Sequence, residues 1–243
     1  MGESVKVSIV IAVLDSHEIV RRQLLHWGRM DFGDNVEWVI VDDGSNPPLK
    51  DSFDWPKNFI VHATNNFNAW TQPMARNIGV ELASNPMLIC TDIDHILTEK
   101  TIRFVTETYY DVIHFVRHVA VLDENGNFTQ DDNVLASWGF PQERIQAKRY
   151  RVSPHSNSYG IRKDRFLKLG GSRQGTQYPN RDEIPLKRKL KVCEAKGRMI
   201  TIPDNERPMI YVMPTGRFCG DGTDKDFNPF GYFHNLKRWN DAA

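Results

Sequence analysis

Along the first hundred residues, apolar positions gather into short unbroken runs separated by polar segments. Residues 5–14, "VKVSIVIAVL", are apolar almost throughout, which predicts a strand buried on both faces. The spacing then becomes helical: Ile19, Val20, Gln23, Leu24 and Trp27 share a face, and Ser16 stands where an N-cap belongs. "VEWVIVDDGS", 36–45, predicts a second strand that ends in acid and glycine. After a Pro- and Asp-rich connection, "FIVHA", 59–63, predicts a third. Over 71–85, Met74, Ile78 and Leu82 recur at helical spacing, with Thr71 as the cap and Pro73 in the first turn. "MLICTD", 87–92, is the fourth strand.

This alternation predicts an α/β fold: an open, mostly parallel, Rossmann-like sheet with helices on both faces. Ligands of such folds bind beyond the carboxyl ends of the strands. Three of those ends are acidic here: Asp15, Asp42 with Asp43, and Asp92 with Asp94. The second half is less regular. It predicts a helix over 101–110, an extended stretch over 111–122, and a hairpin turn at "DENGN", 123–127. A short strand and helix over 152–171 end at a glycine pair. A charged helix over 181–197 places Ile184, Leu186, Leu190 and Cys193 only partly on one face, and "RMITIP", 198–203, predicts a strand. Residues 215–231 form a polar loop and 232–239 an aromatic tail.

The 243 residues suit one large domain or two small ones, with 40% apolar residues to fill a core. A formal net charge of zero gives no broad attraction to nucleic acid or to an anionic membrane, so nucleic acid is disfavoured but stays open as a partner. Three dispersed cysteines show neither a disulfide framework nor zinc spacing. That fits a reducing compartment, and a cytoplasmic location is expected. No apolar run approaches the roughly 18 residues of a spanning helix.

Asp92 and Asp94 are one residue apart at a strand end. Such a pair either lies in water or holds a hard divalent cation. Asp42, Asp43 and Gly44 either close a turn or accept hydrogen bonds from ribose hydroxyls or a base N–H. Arg76 is either a surface arginine or a partner for phosphate or base. Arg162, Lys163 and Arg165 either contact an anion or begin a solvated helix. If the strand continues past Asp94, His95 points to the opposite side and lies behind the site.

Together the parts are more specific. D-D-G-S at 42–45, A-R-N-x-G-x-x-x-A at 75–83 and D-x-D at 92–94 resemble the family 2 glycosyltransferases of GT-A fold. The resemblance covers residues 5–97 well and 155–200 more loosely. The family's Y-N after the first strand is here Leu14-Asp15, and its G-S-T-D is here "GSNPP". The resemblance implies a single GT-A domain, with a nucleotide-sugar-binding half over 1–97 and an acceptor-binding half over 98–243. It implies a nucleotide-sugar donor, a UDP-sugar by preference, and a saccharide or glycoconjugate acceptor. Mn²⁺ or Mg²⁺ is the implied cofactor. Asp15, Asp42, Asp43, Arg76 and Asp92 would bind the nucleotide. Asp94 would be the main metal ligand, with Asp92 and a C-terminal histidine, His234 or else His155, beside it. Asp182 or Glu183 would be the base, since this D-E pair reverses the family's E-D, and the hexose would be transferred with inversion. Acceptor contacts would come from Trp138, His155 and the 215–230 loop.

Two alternatives remain. A nucleotidyltransferase of sugar 1-phosphates would carry a glycine-rich loop with a basic residue after the first strand, where "VLDSHE" has no glycine. A non-catalytic binding protein of the same fold would keep the sheet and lose the base.

Overall fold

In a computed structural model, residues 4–66, 71–140, 142–146, 157–172 and 183–213 are described. In chain order the first half holds β1 (Val7–Val13), α1 (His17–Trp27), β2 (Val36–Asp42), α2 (Leu49–Ser52), β3 (Phe59–Ala63), α3 (Gln72–Leu82) and β4 (Met87–Asp92). Then come β5 (His95–Ile96), α4 (Glu99–Glu107), β6 (Val112–His114), β7 (Val116–Val119), β8 (Val121–Leu122) and β9 (Phe128–Thr129). The last are α5 (Asp132–Ser137), α6 (Gln142–Gln146), β10 (Tyr159–Arg162), α7 (Lys163–Lys168), α8 (Glu183–Ala195) and β11 (Met209–Val212).

The main sheet has six strands in the order β3-β2-β1-β4-β10-β6. Neighbours are parallel from β3 to β4, and β10 runs antiparallel to both β4 and β6. The sheet is therefore mostly parallel with one reversed strand. β1 is central, and its alternate residues fill two cores. Val7, Ile9, Ile11 and Val13 pack with Ile19, Val20 and Trp27 of α1 and with Ile102 and Val105 of α4. Val10 and Ala12 pack on the other face with α3, Phe166 of α7, and Leu186 and Leu190 of α8. A strand covered on both faces has no polar side to show, which is why its run is unbroken.

Helix α3 does not use the expected face. Leu82 is exposed and Ile78 half-buried, while Pro73, Ala75, Arg76, Gly79 and Val80 face the sheet. The reason is close approach. A Cβ on Gly79 would lie 2.5 Å from Val10 Cγ1 and 3.0 Å from Val41 Cγ2. Small residues let the backbone of α3 settle onto the sheet, and apolar periodicity cannot register them. Neither Ser16 nor Thr71 makes a side-chain cap hydrogen bond. Ser16 Oγ instead donates to Leu14 O.

The hairpin at 123–127 forms between β8 and β9, with the Asp123 carboxylate accepting the N–H groups of Asn125 and Asn127. Arginines of the α1 region hold it down. Arg21 donates to Glu124 O, Arg22 to Leu122 O, and Arg29 to Gly126 O and Asn125 O. Glu18 braces Arg21 and Arg22, and its hydrogen bond from Arg21 holds its carboxyl down at about 2. "RMITIP" makes only an isolated bridge between Thr201 and Val112. The strand lies further on as β11, which joins β5 and β7 in a second sheet.

Helix α8 is tied to β6 by His114 Nε2 and Glu194 Oε1, 2.6 Å apart. The hydrogen bond from His114 holds the Glu194 carboxyl below its ordinary 4.5. A depressed carboxylate stabilises the fold above its unfolded pKa, and that contribution is lost as pH falls through the folded value. Glu194→Gln is therefore expected to lower the urea midpoint at pH 7. The gap to the wild type should narrow as the pH falls below the unfolded carboxylate value of about 4.3 and close as it passes through the lower folded value, where the wild-type carboxylate is neutralised. A gap that persists unchanged in acid would refute the tie.

Candidate metal and nucleotide site

The site lies at the carboxyl ends of β2, β1 and β4. Pairing aligns Val13 with Asp42 and Ala12 with Asp92, so acids from distant parts of the chain flank the end of β1. Their environments differ. Asp42 is buried, and each carboxylate oxygen accepts a backbone N–H of its own loop: Oδ1 from Ser45 and Oδ2 from Leu49, both at 2.8 Å. Asp42 thus shapes the loop. Asp15 does related work from the end of β1. Its φ of 46° turns the chain, its N–H donates to Ser45 Oγ, and its Oδ1 accepts from Asn46 N. Gly44, with φ of 93°, provides the turn that an L side chain would strain. Asp43, also buried, is anchored by its N–H to Val13 O.

Asp92 is met by α3. Arg76 Nη2 lies 3.0 Å and Gln72 Nε2 3.1 Å from Asp92 Oδ1. Arg76 is fully buried, so it is not the surface arginine that its type suggests. The close packing of Gly79 one turn on carries it to this depth. The next residue, Asn77, serves another segment: its amide donates to Ser172 O and accepts from Ser172 N. That holds the Gly170-Gly171 turn against α3, where a Cβ on Gly171 would lie 2.7 Å from Asn77 Oδ1.

His95 is where sequence reasoning erred. The strand does not continue past Asp94. β4 stops at Asp92, Ile93 and Asp94 form a turn, and β5 starts at His95 in the second sheet. The turn brings His95 round to the carboxylates instead of away from them. One donor atom from each of Asp92, Asp94 and His95 lies within 4.8 Å of the others. A cation with bonds of about 2.1 Å spans opposed ligands about 4.2 Å apart, so a small side-chain adjustment suffices to gather them. Two carboxylates with an imidazole are a donor set that suits Mn²⁺ and other divalent ions.

Gln23 was also missed as a functional residue. It is fully buried on α1, and its Nε2 donates to both Ile93 O and His95 O, at 2.9 and 3.0 Å. The available signal was a glutamine inside an apolar helix stripe. Met213 N donates to Asp94 O at 2.8 Å, so the turn is held from two sides. Cys90, two residues before Asp92 on β4, is no reactive thiol, since burial pushes it up to about 11.

Other expected residues fall elsewhere. Arg162 pairs in register with Met87 at the opposite end of β4, about 16 Å from Asp92 at the ordinary strand rise. Arg162 and Arg165 bond Asp164, Asp111 and the Tyr109 hydroxyl, and Lys163 bonds the carbonyls of Glu81 and Ala83. None of the three is placed for a diphosphate at the acidic rim. Trp138 packs under Arg22, whose guanidinium carbon is 5.1 Å from the ring centre. Glu183 opens α8, but its side chain, Asp182, His155, His234 and the 215–230 loop lie outside the described residues.

A solved structure shares this architecture. A mannosyltransferase from Pyrobaculum calidifontis, in complex with GDP-Man and Mn²⁺, matches with a TM-score of 0.54 at 14% identity, over 87% of this chain and 57% of its own. The fold is of the GT-A type. This chain thus spans little more than half the length of that mannosyltransferase. Residues 1–349 of S. aureus TarS, in complex with UDP, match with a TM-score of 0.49 at 14% identity, over 98% of this chain and 70% of that one. No family model and no curated protein sequence matches the chain. Among the described residues, no helix is long and apolar enough to cross a membrane.

Proposed function

We propose that the chain is a metal-dependent glycosyltransferase, similar to family 2 enzymes, that moves a hexose from a nucleotide sugar to an acceptor hydroxyl. The observation that carries this reading is the cluster of Asp92, Asp94 and His95 beside the buried Arg76, at the carboxyl end of a parallel sheet. The fold shared with a structure holding GDP-Man and Mn²⁺ supports it.

Asp43 reads the base or ribose from a loop that Asp15 and Asp42 hold in shape. Arg76 fixes Asp92 and adds positive charge next to the diphosphate. Asp92, Asp94 and His95 would hold the divalent ion, which would supply positive charge against the charge developing on the leaving diphosphate. A carboxylate at the start of α8, Asp182 or Glu183, takes the proton of the acceptor hydroxyl as its oxygen bonds the anomeric carbon. The carbon–phosphate-oxygen bond breaks on the opposite side, and configuration inverts. The acceptor is a saccharide or glycoconjugate, bound by the half of the chain after residue 97. A UDP-sugar is the preferred donor.

The test is calorimetric titration of UDP and GDP into the protein, with Mn²⁺ and with chelator. Binding that needs metal and is lost in Asp94→Ala is expected. If UDP, GDP and dTDP all fail to bind with Mn²⁺ present, the donor-site reading falls.

A further inference from the structure

We infer that His95 is a protein ligand of the metal in this site, and that its imidazole makes the site select Mn²⁺ over Mg²⁺. The inference rests on the metal-dependent reading above and specifies the ion. Three observations carry it. First, the backbone around the histidine is fixed from both sides. Gln23, fully buried, grips the carbonyls of Ile93 and His95, and Met213 N grips that of Asp94. Second, the ring itself is oriented. His95 is buried, and its Nδ1 lies 2.6 Å from Ser158 Oγ, which lies 3.0 Å from Thr91 Oγ1. Ser158 and Thr91 are buried as well, so this hydroxyl pair is a rigid rest for the imidazole. Third, the ring so held stays within 4.8 Å of carboxylate oxygens of both Asp92 and Asp94.

A histidine that binds a metal has one nitrogen held by a neighbouring group and the other directed to the ion. With Nδ1 held by Ser158, Nε2 is the nitrogen that would coordinate the ion. The consequence for the ion is chemical. Mg²⁺ demands oxygen ligands and sheds water reluctantly, whereas imidazole suits first-row transition ions. A D-x-D pair alone does not discriminate strongly between Mn²⁺ and Mg²⁺. The same pair with an imidazole favours Mn²⁺.

The test uses Mn²⁺ as the probe on the full chain, alone and with UDP or GDP. Electron spin-echo modulation of bound Mn²⁺ should show coupling to a ¹⁴N nucleus, replaced by the ¹⁵N pattern when the histidines alone are ¹⁵N-labelled, lost in His95→Gln and kept in His155→Gln and His234→Gln. Loss of the coupling in His155→Gln or His234→Gln would overturn the inference, and these two variants keep the test readable if His95→Gln fails to fold. In addition, Ser158→Ala should weaken Mn²⁺ binding about 10- to 100-fold, as loss of such a supporting group typically does. Mg²⁺ should displace Mn²⁺ from wild type only at large excess. Bound Mn²⁺ with no histidine nitrogen coupling overturns this inference and leaves the metal-dependent reading standing. No Mn²⁺ binding under any of these conditions overturns both.

Discussion

Replacing Arg76 with methionine is expected to destabilise the fold by about 3 kcal/mol, the lower end of what breaking a buried ion pair costs. The guanidinium is fully buried, and its partner Asp92 is 17% exposed, so the carboxylate left behind is only partly reached by water. The loss should depend on metal. A divalent cation can take over the role of the missing guanidinium, and a ligand bound only by the folded state stabilises it by mass action. Saturating Mn²⁺ should therefore raise the urea midpoint of Arg76→Met more than that of the wild type. The two should part company on nucleotide: the variant keeps Mn²⁺ and loses affinity for the diphosphate, because it has removed a positive charge beside it. Equal Mn²⁺ stabilisation of both proteins would show that Asp92 does not face the ion.

Gly126→Ala is the second large effect, and it acts on the scaffold. Gly126 has a φ of 74°, and an added Cβ would lie 2.6 Å from Leu25 Cβ, 2.8 Å from Arg22 O and 2.9 Å from His26 N. These are backbone and Cβ atoms of α1 with no rotamer to yield. The left-handed conformation costs about 1–2 kcal/mol for an L side chain, and the overlap adds about 1–3 more. A total of about 2–5 kcal/mol is expected from urea unfolding. Gly33→Ala isolates the conformational part, since Gly33 has a φ of 52° with nothing within 4 Å of the added carbon. Hydrogen exchange should show lost protection over 121–129 in Gly126→Ala alone. Equal destabilisation by the two substitutions would mean that the hairpin is not seated against α1.

How far the sequence could be read depended on which force placed each element. Strands β1, β2 and β4 are legible because burial on both faces leaves runs such as "VSIVIAV" with little polar alternation. The acidic rim is legible because strand ends are set by the same runs. The packing face of α3 was not, because Ala75 and Gly79 contribute closeness and not hydrophobic mass. His95 was misplaced because a single turn at Ile93 and Asp94 reverses the alternation on which its direction depended. β11 was missed in favour of "RMITIP" because both are short apolar runs, and only their pairing with β5 and β7 decides between them. Gln23 could be seen as an oddity in its stripe, but not what it holds, because its two carbonyl partners lie seventy residues away.

The manner in which α1 holds the β8–β9 hairpin bears on how this protein can change. On the hairpin, Arg21, Arg22 and Arg29 donate to carbonyl oxygens, which every amino acid supplies. The clasp therefore reads the path of the loop and not its spelling. Glu124 and Asn125 can be exchanged for other residues with the grip intact, while Gly126 and the turn-forming Asp123 cannot. A new surface could be installed at this tip by substitution alone, and the acidic rim at the other end of α1 would not register the change.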